Sequence, residues 1–117
     1  MKLLVPLIAS ASLASATPTP APVHVTVNNL VGTWKTVTGI CTSSGHLLAA
    51  DGDYRMWCFD SLSGGKWFLR GGNKIVVKPD PKKSYEKIIQ ILAFERQADR
   101  TLLYVRDYDG RREKWIK

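Results

Sequence analysis

The chain has 117 residues, with 17 Lys and Arg against 10 Asp and Glu, for a formal net charge of +7. Its 44% hydrophobic content is enough for a packed core, which excludes a disordered chain, and its length suits one small domain. The positive balance favours acidic partners of any chemistry, whether nucleic acid, anionic polysaccharide, membrane surface or acidic protein, and by itself selects none of them.

The sequence opens on MKLLVPLIASASLASA, in which one lysine precedes an apolar run and Ala14-Ser15-Ala16 supplies the small residues a signal peptidase needs. Residues 1–16 are therefore expected to be a secretory signal, and the protein to be exported and soluble. Neither this run nor any later segment approaches the roughly 20 apolar residues of a membrane-spanning helix. TPTPAP over 17–22 places prolines at alternate positions, removing backbone donors and favouring an extended conformation. The expected organisation is a signal peptide over 1–16, a Pro/Thr-rich leader over 17–29 and a β domain over 30–117.

From Leu30 onward, turn chemistry recurs at Ser44-Gly45, Asp51-Gly52-Asp53, Ser63-Gly64-Gly65, Gly71-Gly72-Asn73, Pro79-Asp80-Pro81, Ala98-Asp99-Arg100 and Asp109-Gly110-Arg111. Between these clusters lie TWKTVTGIC, YRMWCFD, KWFLR, KIVVK, YEKIIQILAFER, TLLYVRDY and REKWIK, rich in β-branched and aromatic residues. Lys66–Arg70 and Lys74–Lys78 carry charges at both ends and apolar residues between, a period of two. The segment 84–100 also fits a helical face through Ile88, Ile89, Ile91 and Leu92, but its β-branched content and two-sided apolarity favour a strand.

Short connections between sequential strands predict an antiparallel meander of six to eight strands, closed as a small β-barrel or folded as a β-sandwich to hide its edges. The expected core is Trp34, Val37, Ile40, Met56, Trp57, Phe59, Trp67, Leu69, Ile75, Val77, Ile89, Ile91, Leu103, Val105, Trp115 and Ile116. Cys41 and Cys58 are the only cysteines, and export allows them to pair. Such a bond closes a loop of about 17 residues and stabilises the fold by roughly 3 kcal/mol.

The chemistry-bearing residues point away from catalysis. His24 sits beside the leader and His46 in a turn region, and neither has a Ser or Cys nucleophile partner recognisable in sequence. Asp51, Asp53 and Asp60 read as turn acids, and Asp51-Gly52-Asp53 offers too few oxygen ligands for calcium. No cofactor or metal site is expected. Arg70-Gly71-Gly72-Asn73 contains an RGG triplet that a hairpin explains by itself. Arg55, Lys66, Arg70, Lys74 and Lys78 alternate with apolar residues on adjacent strands, so pairing is expected to gather them on one outward face beside Trp57 or Trp67. That face is the expected partner-binding surface, with a solvated sheet face as the alternative.

Leu30-Val31-Gly32-Thr33-Trp34-Lys35 resembles the G-x-W start of lipocalins, fatty-acid-binding proteins and other calycins. The resemblance implies a barrel whose first strand carries Gly32 and Trp34 as structural residues, with a basic residue from the last strand lying across the indole. Arg111, Arg112 and Lys114 are available for that role, Arg112 being the expected one. The layout as a whole, a signal, a Pro/Thr leader and a basic β domain with one disulfide, looks like that of small secreted effectors of plant-pathogenic fungi. These include the MAX group of β-sandwiches, in which the disulfide usually ties the first strand to a late one.

These resemblances imply a secreted, monomeric, non-catalytic effector that binds a host protein, outside or inside host cells, with a polyanion as a further partner class. The alternative is a calycin-like extracellular proteinase inhibitor or a carrier of a small apolar ligand.

Overall fold

The computed structural model describes residues 23–39, 41 and 43–117. The expected signal peptide, the leader through residue 22 and the core candidate Ile40 lie outside the described residues.

One helical turn, α1 (Val27–Leu30), precedes eight strands: β1 (Gly32–Thr38), β2 (Ser44–Leu48), β3 (Asp53–Cys58), β4 (Ser61–Arg70), β5 (Lys74–Lys78), β6 (Lys87–Arg96), β7 (Thr101–Arg106) and β8 (Arg112–Ile116). Each strand pairs antiparallel with the next, and β1 pairs with β8, so the sheet closes into a barrel. Closure decides between the barrel and the sandwich, because it leaves no edge strand to be shielded. Bulges between Thr36 and Thr38 and between Ile91 and Ala93 add the local twist that bends the sheet round. Residues 87–96, the segment with helical periodicity, form strand β6.

One end of the barrel is plugged. Thr26 and Asn29 form a reciprocal capping box that fixes α1 and places Leu30 inside, fully buried. The Trp34 indole N–H donates to the Leu30 carbonyl at 2.8 Å, and the Val25 amide reaches the Gly72 carbonyl at 2.8 Å. The packed chain therefore includes Val25, five residues before the expected start of the domain. The cation over Trp34 is Lys117, with its Nζ 4.7 Å from the ring centroid, donating to the carbonyls of Val31 at 2.7 Å and Asn29 at 3.1 Å. Arg112 does not take that role. It opens β8 at the opposite end and points outward, because Glu113 and Trp115 occupy the inward positions of that strand.

The structure corrects the turn reading in two places. Ser44-Gly45 begins β2 instead of a turn: a side chain at residue 45 would fall on the Trp57 ring and the Trp34 carbonyl, so the glycine permits close packing across β1, β2 and β3. Ser63-Gly64-Gly65 lies inside β4. Val37 and Phe59 are exposed rather than core, while Val25, Leu30, Leu48 and Tyr54 join the core.

Candidate ligand recess at the open end

The opposite end carries the connections 39–43, 59–60, 79–86 and 107–111, with no plug comparable to α1 among the described residues. The Cys41–Cys58 disulfide ties the first of these loops to the end of β3. Inside lies a recess of about 190 Å³, bounded by the disulfide, His46, Tyr54, Trp115, Glu113 and Asp107, among others. Tyr108, from the β7–β8 turn, borders both this recess and a 40 Å³ niche bounded in part by Lys87. The Lys87 ammonium lies 4.3 Å from the Tyr108 ring centroid.

Pleat alternation aims each of these side chains. On β2, the inward positions are Ser44, His46 and Leu48, and on β8 they are Glu113 and Trp115. Between these strands, β1 presents Thr36, which pairs with Trp115 in register and whose hydroxyl accepts from Ser44 Oγ at 2.6 Å. So short a residue leaves room for the His46 and Trp115 rings to stack across it, 3.9 Å apart.

Burial then sets the charge states. Desolvation holds the His46 imidazole down to about 4, against a small opposing pull from Asp107, so the ring is neutral at pH 7. Burial, with Tyr108 and Glu113 nearby, pushes the Tyr54 hydroxyl up, so it stays protonated. His46 Nδ1 and Tyr54 Oη share a hydrogen bond of 2.8 Å. His46 Nε2 faces Glu113 Oε1 at 3.9 Å, beyond hydrogen-bond range. Glu113 is half-buried, and desolvation together with Asp107 raises its carboxyl, although the Trp115 N–H donates to it at 2.9 Å.

The cations expected at a partner surface lie elsewhere, on the outer wall. Arg55 on β3, Lys66 and Arg70 on β4, and Lys74 and Lys78 on β5 all point outward. Lys66 is paired with Asp53, and Arg70 with Glu86 at 3.1 Å, while Arg55, Lys74 and Lys78 form no ion pair among the described residues. Both carboxyls are held below their usual range by these cations.

A row of apolar side chains runs between the charges: Phe68, Val76 and Ile88 are cross-strand neighbours on β4, β5 and β6. Val76 is fully buried beneath its flanks, while Phe68 is 41% and Ile88 38% exposed. Phe68 on β4 and Trp57 on β3, which points outward two residues from Arg55, are the aromatics of this wall. Trp67 points inward and donates its indole N–H to the Ala49 carbonyl at 2.8 Å, and Trp57 packs over Gly45. A groove of about 320 Å³ runs past Arg55 and Leu62, where Gly64 contributes no side chain. Positive charge is not confined to this wall, because Lys35, Arg106, Arg112 and Lys114 point outward from β1, β7 and β8 on the other side.

His46, Tyr54, Tyr108, Glu113 and Trp115 were not expected at a site. The one available signal is Glu113-Lys114-Trp115, where a carboxylate shares the inward face with a tryptophan. No family model, curated protein or solved structure matches the chain.

Proposed function

We propose that the protein is an exported, non-catalytic binding barrel that admits a small molecule at its open end. The observation that carries this reading is the asymmetry of the two ends: α1, Trp34 and Lys117 seal one, while the other opens on a recess whose polar groups are not used in strand pairing. At about 190 Å³ the recess is smaller than the roughly 300 Å³ at which drug-sized pockets begin, so its occupant is fragment-sized. Export is supported by the pattern of residues 1–16, and the Cys41–Cys58 bond suits an oxidising compartment. The test is a nuclear magnetic resonance screen of small fragments. Shifts clustered at His46, Tyr54 and Trp115, abolished by filling the recess with Met56→Trp, support the reading. A screen without shifts at those residues refutes it.

A second reading, an effector that binds a host protein through its outer wall, is favoured by the Phe68–Val76–Ile88 row beside Lys74 and Lys78. Distribution of the remaining cations around the barrel makes the apolar row, rather than charge, the distinguishing feature of that wall. In this reading Phe68→Ala combined with Lys74→Glu and Lys78→Glu loses a partner that the Met56→Trp variant still binds. Retention of the partner by the wall variant counts against it. Proteinase inhibition finds support in Phe59, 73% exposed with φ of 53° at the tip of the β3–β4 hairpin next to the disulfide. Stoichiometric titration of a proteinase panel, with Phe59→Ala as the control, tests it.

A further inference from the structure

We infer that the recess at the open end binds a small organic ammonium ion attached to a flat ring, of about ten non-hydrogen atoms in all. The inference rests on the small-molecule reading above and adds the chemistry of the ligand.

Charge is the first argument. The whole chain carries +7, yet the recess is bounded by Asp107, Asp109 and Glu113 against Arg111 alone. Lys87 lies against Tyr108 and borders the smaller niche. Structural duties account for only part of the acidic set. Asp107 Oδ1 caps its own turn, accepting from the amides of Asp109 at 2.9 Å and Arg111 at 2.8 Å, and Glu113 Oε1 accepts from Trp115. Among the described residues, no Lys or Arg forms an ion pair with either carboxylate.

A second, independent observation is His46. Its side chain is only 9% exposed, and Nε2 has no hydrogen-bond partner among the described residues. Nε2 keeps an accessible edge where His46 lines the recess beside Glu113, so a ligand or solvent can reach it. The walls supply the third argument. Tyr54, Tyr108 and the stacked His46 and Trp115 rings surround the space, and aromatic faces attract ammonium groups. The Lys87 ammonium already lies over the Tyr108 ring, which leaves Tyr54 and the His46–Trp115 stack as the aromatic faces without such a cation among the described residues.

The alternatives fit less well. An anion meets two or three carboxylates, and a purely apolar molecule would further bury Glu113 without neutralising it, an uncompensated desolvation. An ammonium offsets one unit of the negative charge that Glu113 and Asp107 bring to the recess, while its ring lies along the aromatic wall.

Calorimetric titration of the full chain with 2-phenylethylammonium, the neutral isostere 2-phenylethanol and the anion phenylacetate tests the inference. The expected result is at least tenfold tighter binding of the ammonium than of the alcohol, and no binding of the anion. Glu113→Gln, which keeps an acceptor for Trp115, should erase that preference, and Asp107→Asn, which keeps the turn cap, should reduce it several-fold. Circular dichroism verifies that each variant folds, and Asp107→Asn serves if Glu113→Gln does not. Equal binding of alcohol and ammonium overturns the cation assignment while leaving the small-molecule reading intact. Preference for the anion, or an ammonium preference that survives both substitutions, also overturns it. If none of the three compounds binds and the fragment screen is empty as well, both readings fall.

Discussion

The His46 imidazole lies against the Trp115 indole, with ring centroids 3.9 Å apart and planes 20° from parallel. The two residues come from β2 and β8, which do not pair with each other but flank β1. Their stack therefore spans the seam where the chain's first strand meets its last, and it forms one wall of the recess. A neutral histidine packed in this way has a measurable consequence for acid stability.

In the folded protein His46 takes up its proton near 4 instead of near its ordinary 6.5. As pH falls from 6.5 toward 4, the unfolded chain therefore binds more protons than the folded one, and stability is lost across that window, by about 3 kcal/mol in total. Glu113 acts in the opposite sense: its raised carboxyl is protonated first in the folded state, which offsets part of the loss above its ordinary value of 4.5. Urea unfolding between pH 7.5 and pH 4 should show the decline, and His46→Gln should flatten it. An unchanged slope in that variant means the histidine is not its source.

Lys117 locks the plugged end. Lys117→Met keeps the aliphatic stem but removes two donated hydrogen bonds and the cation over Trp34. The expected cost is about 1–3 kcal/mol. Arg112→Ala, at an exposed outward position, should stay within about 0.5 kcal/mol of the parent. Denaturant midpoints of the two variants compare them directly, and equal effects would remove Lys117 from its role as a clamp.

The Cys41–Cys58 bond joins a loop to a strand end and lies outside the ladder that closes the barrel. Replacing both residues with Ser should lower stability by roughly 3 kcal/mol, equivalent to a fall in Tm of roughly 10–20 °C for a domain of this size. Far-ultraviolet circular dichroism at low temperature should keep its β signature. Loss of that signature would show that the bond is required for closure itself.

Gly65 occupies the interior of β4 with φ of 155°, and a Cβ there would fall on the Lys78 carbonyl and within 2.9 Å of Pro79 Cα. The atoms it would meet are all backbone, so no flexible group can move aside, and Gly65→Ala should cost about 3 kcal/mol or more. Ser63→Ala, two residues earlier on an exposed position, should change stability by no more than about 0.5 kcal/mol. A tolerated alanine at 65 would contradict the close approach of β4 to the β5–β6 connection.

Much of the fold was legible along the chain. Charges bracketing apolar residues in Lys66–Arg70 and Lys74–Lys78, and glycine and aspartate clusters at hairpin spacing, are local signals, because the pleat repeats every two residues and a tight turn needs particular backbone angles. The antiparallel meander and the outward direction of the five wall cations follow from them, and the Cys41–Cys58 pair from there being two cysteines in a chain expected to be exported. Strand β2 was not legible: Ser44-Gly45 has turn chemistry, and what makes it a strand is the Trp57 ring lying over Gly45, a contact made only once β2 and β3 are paired.

Tertiary structure alone decided the barrel over the sandwich, Lys117 over Arg112 as the clamp on Trp34, and the meeting of His46, Tyr54, Glu113 and Trp115 at the open end. Each of these depends on the register of β1 against β8, the pairing between the strands most distant in sequence. Alternation says that Trp115 faces one side of its strand. Which side becomes interior, and which distant ring it then meets, is determined when the sheet closes, since a one-residue slip would turn every side chain of β8 to the other face.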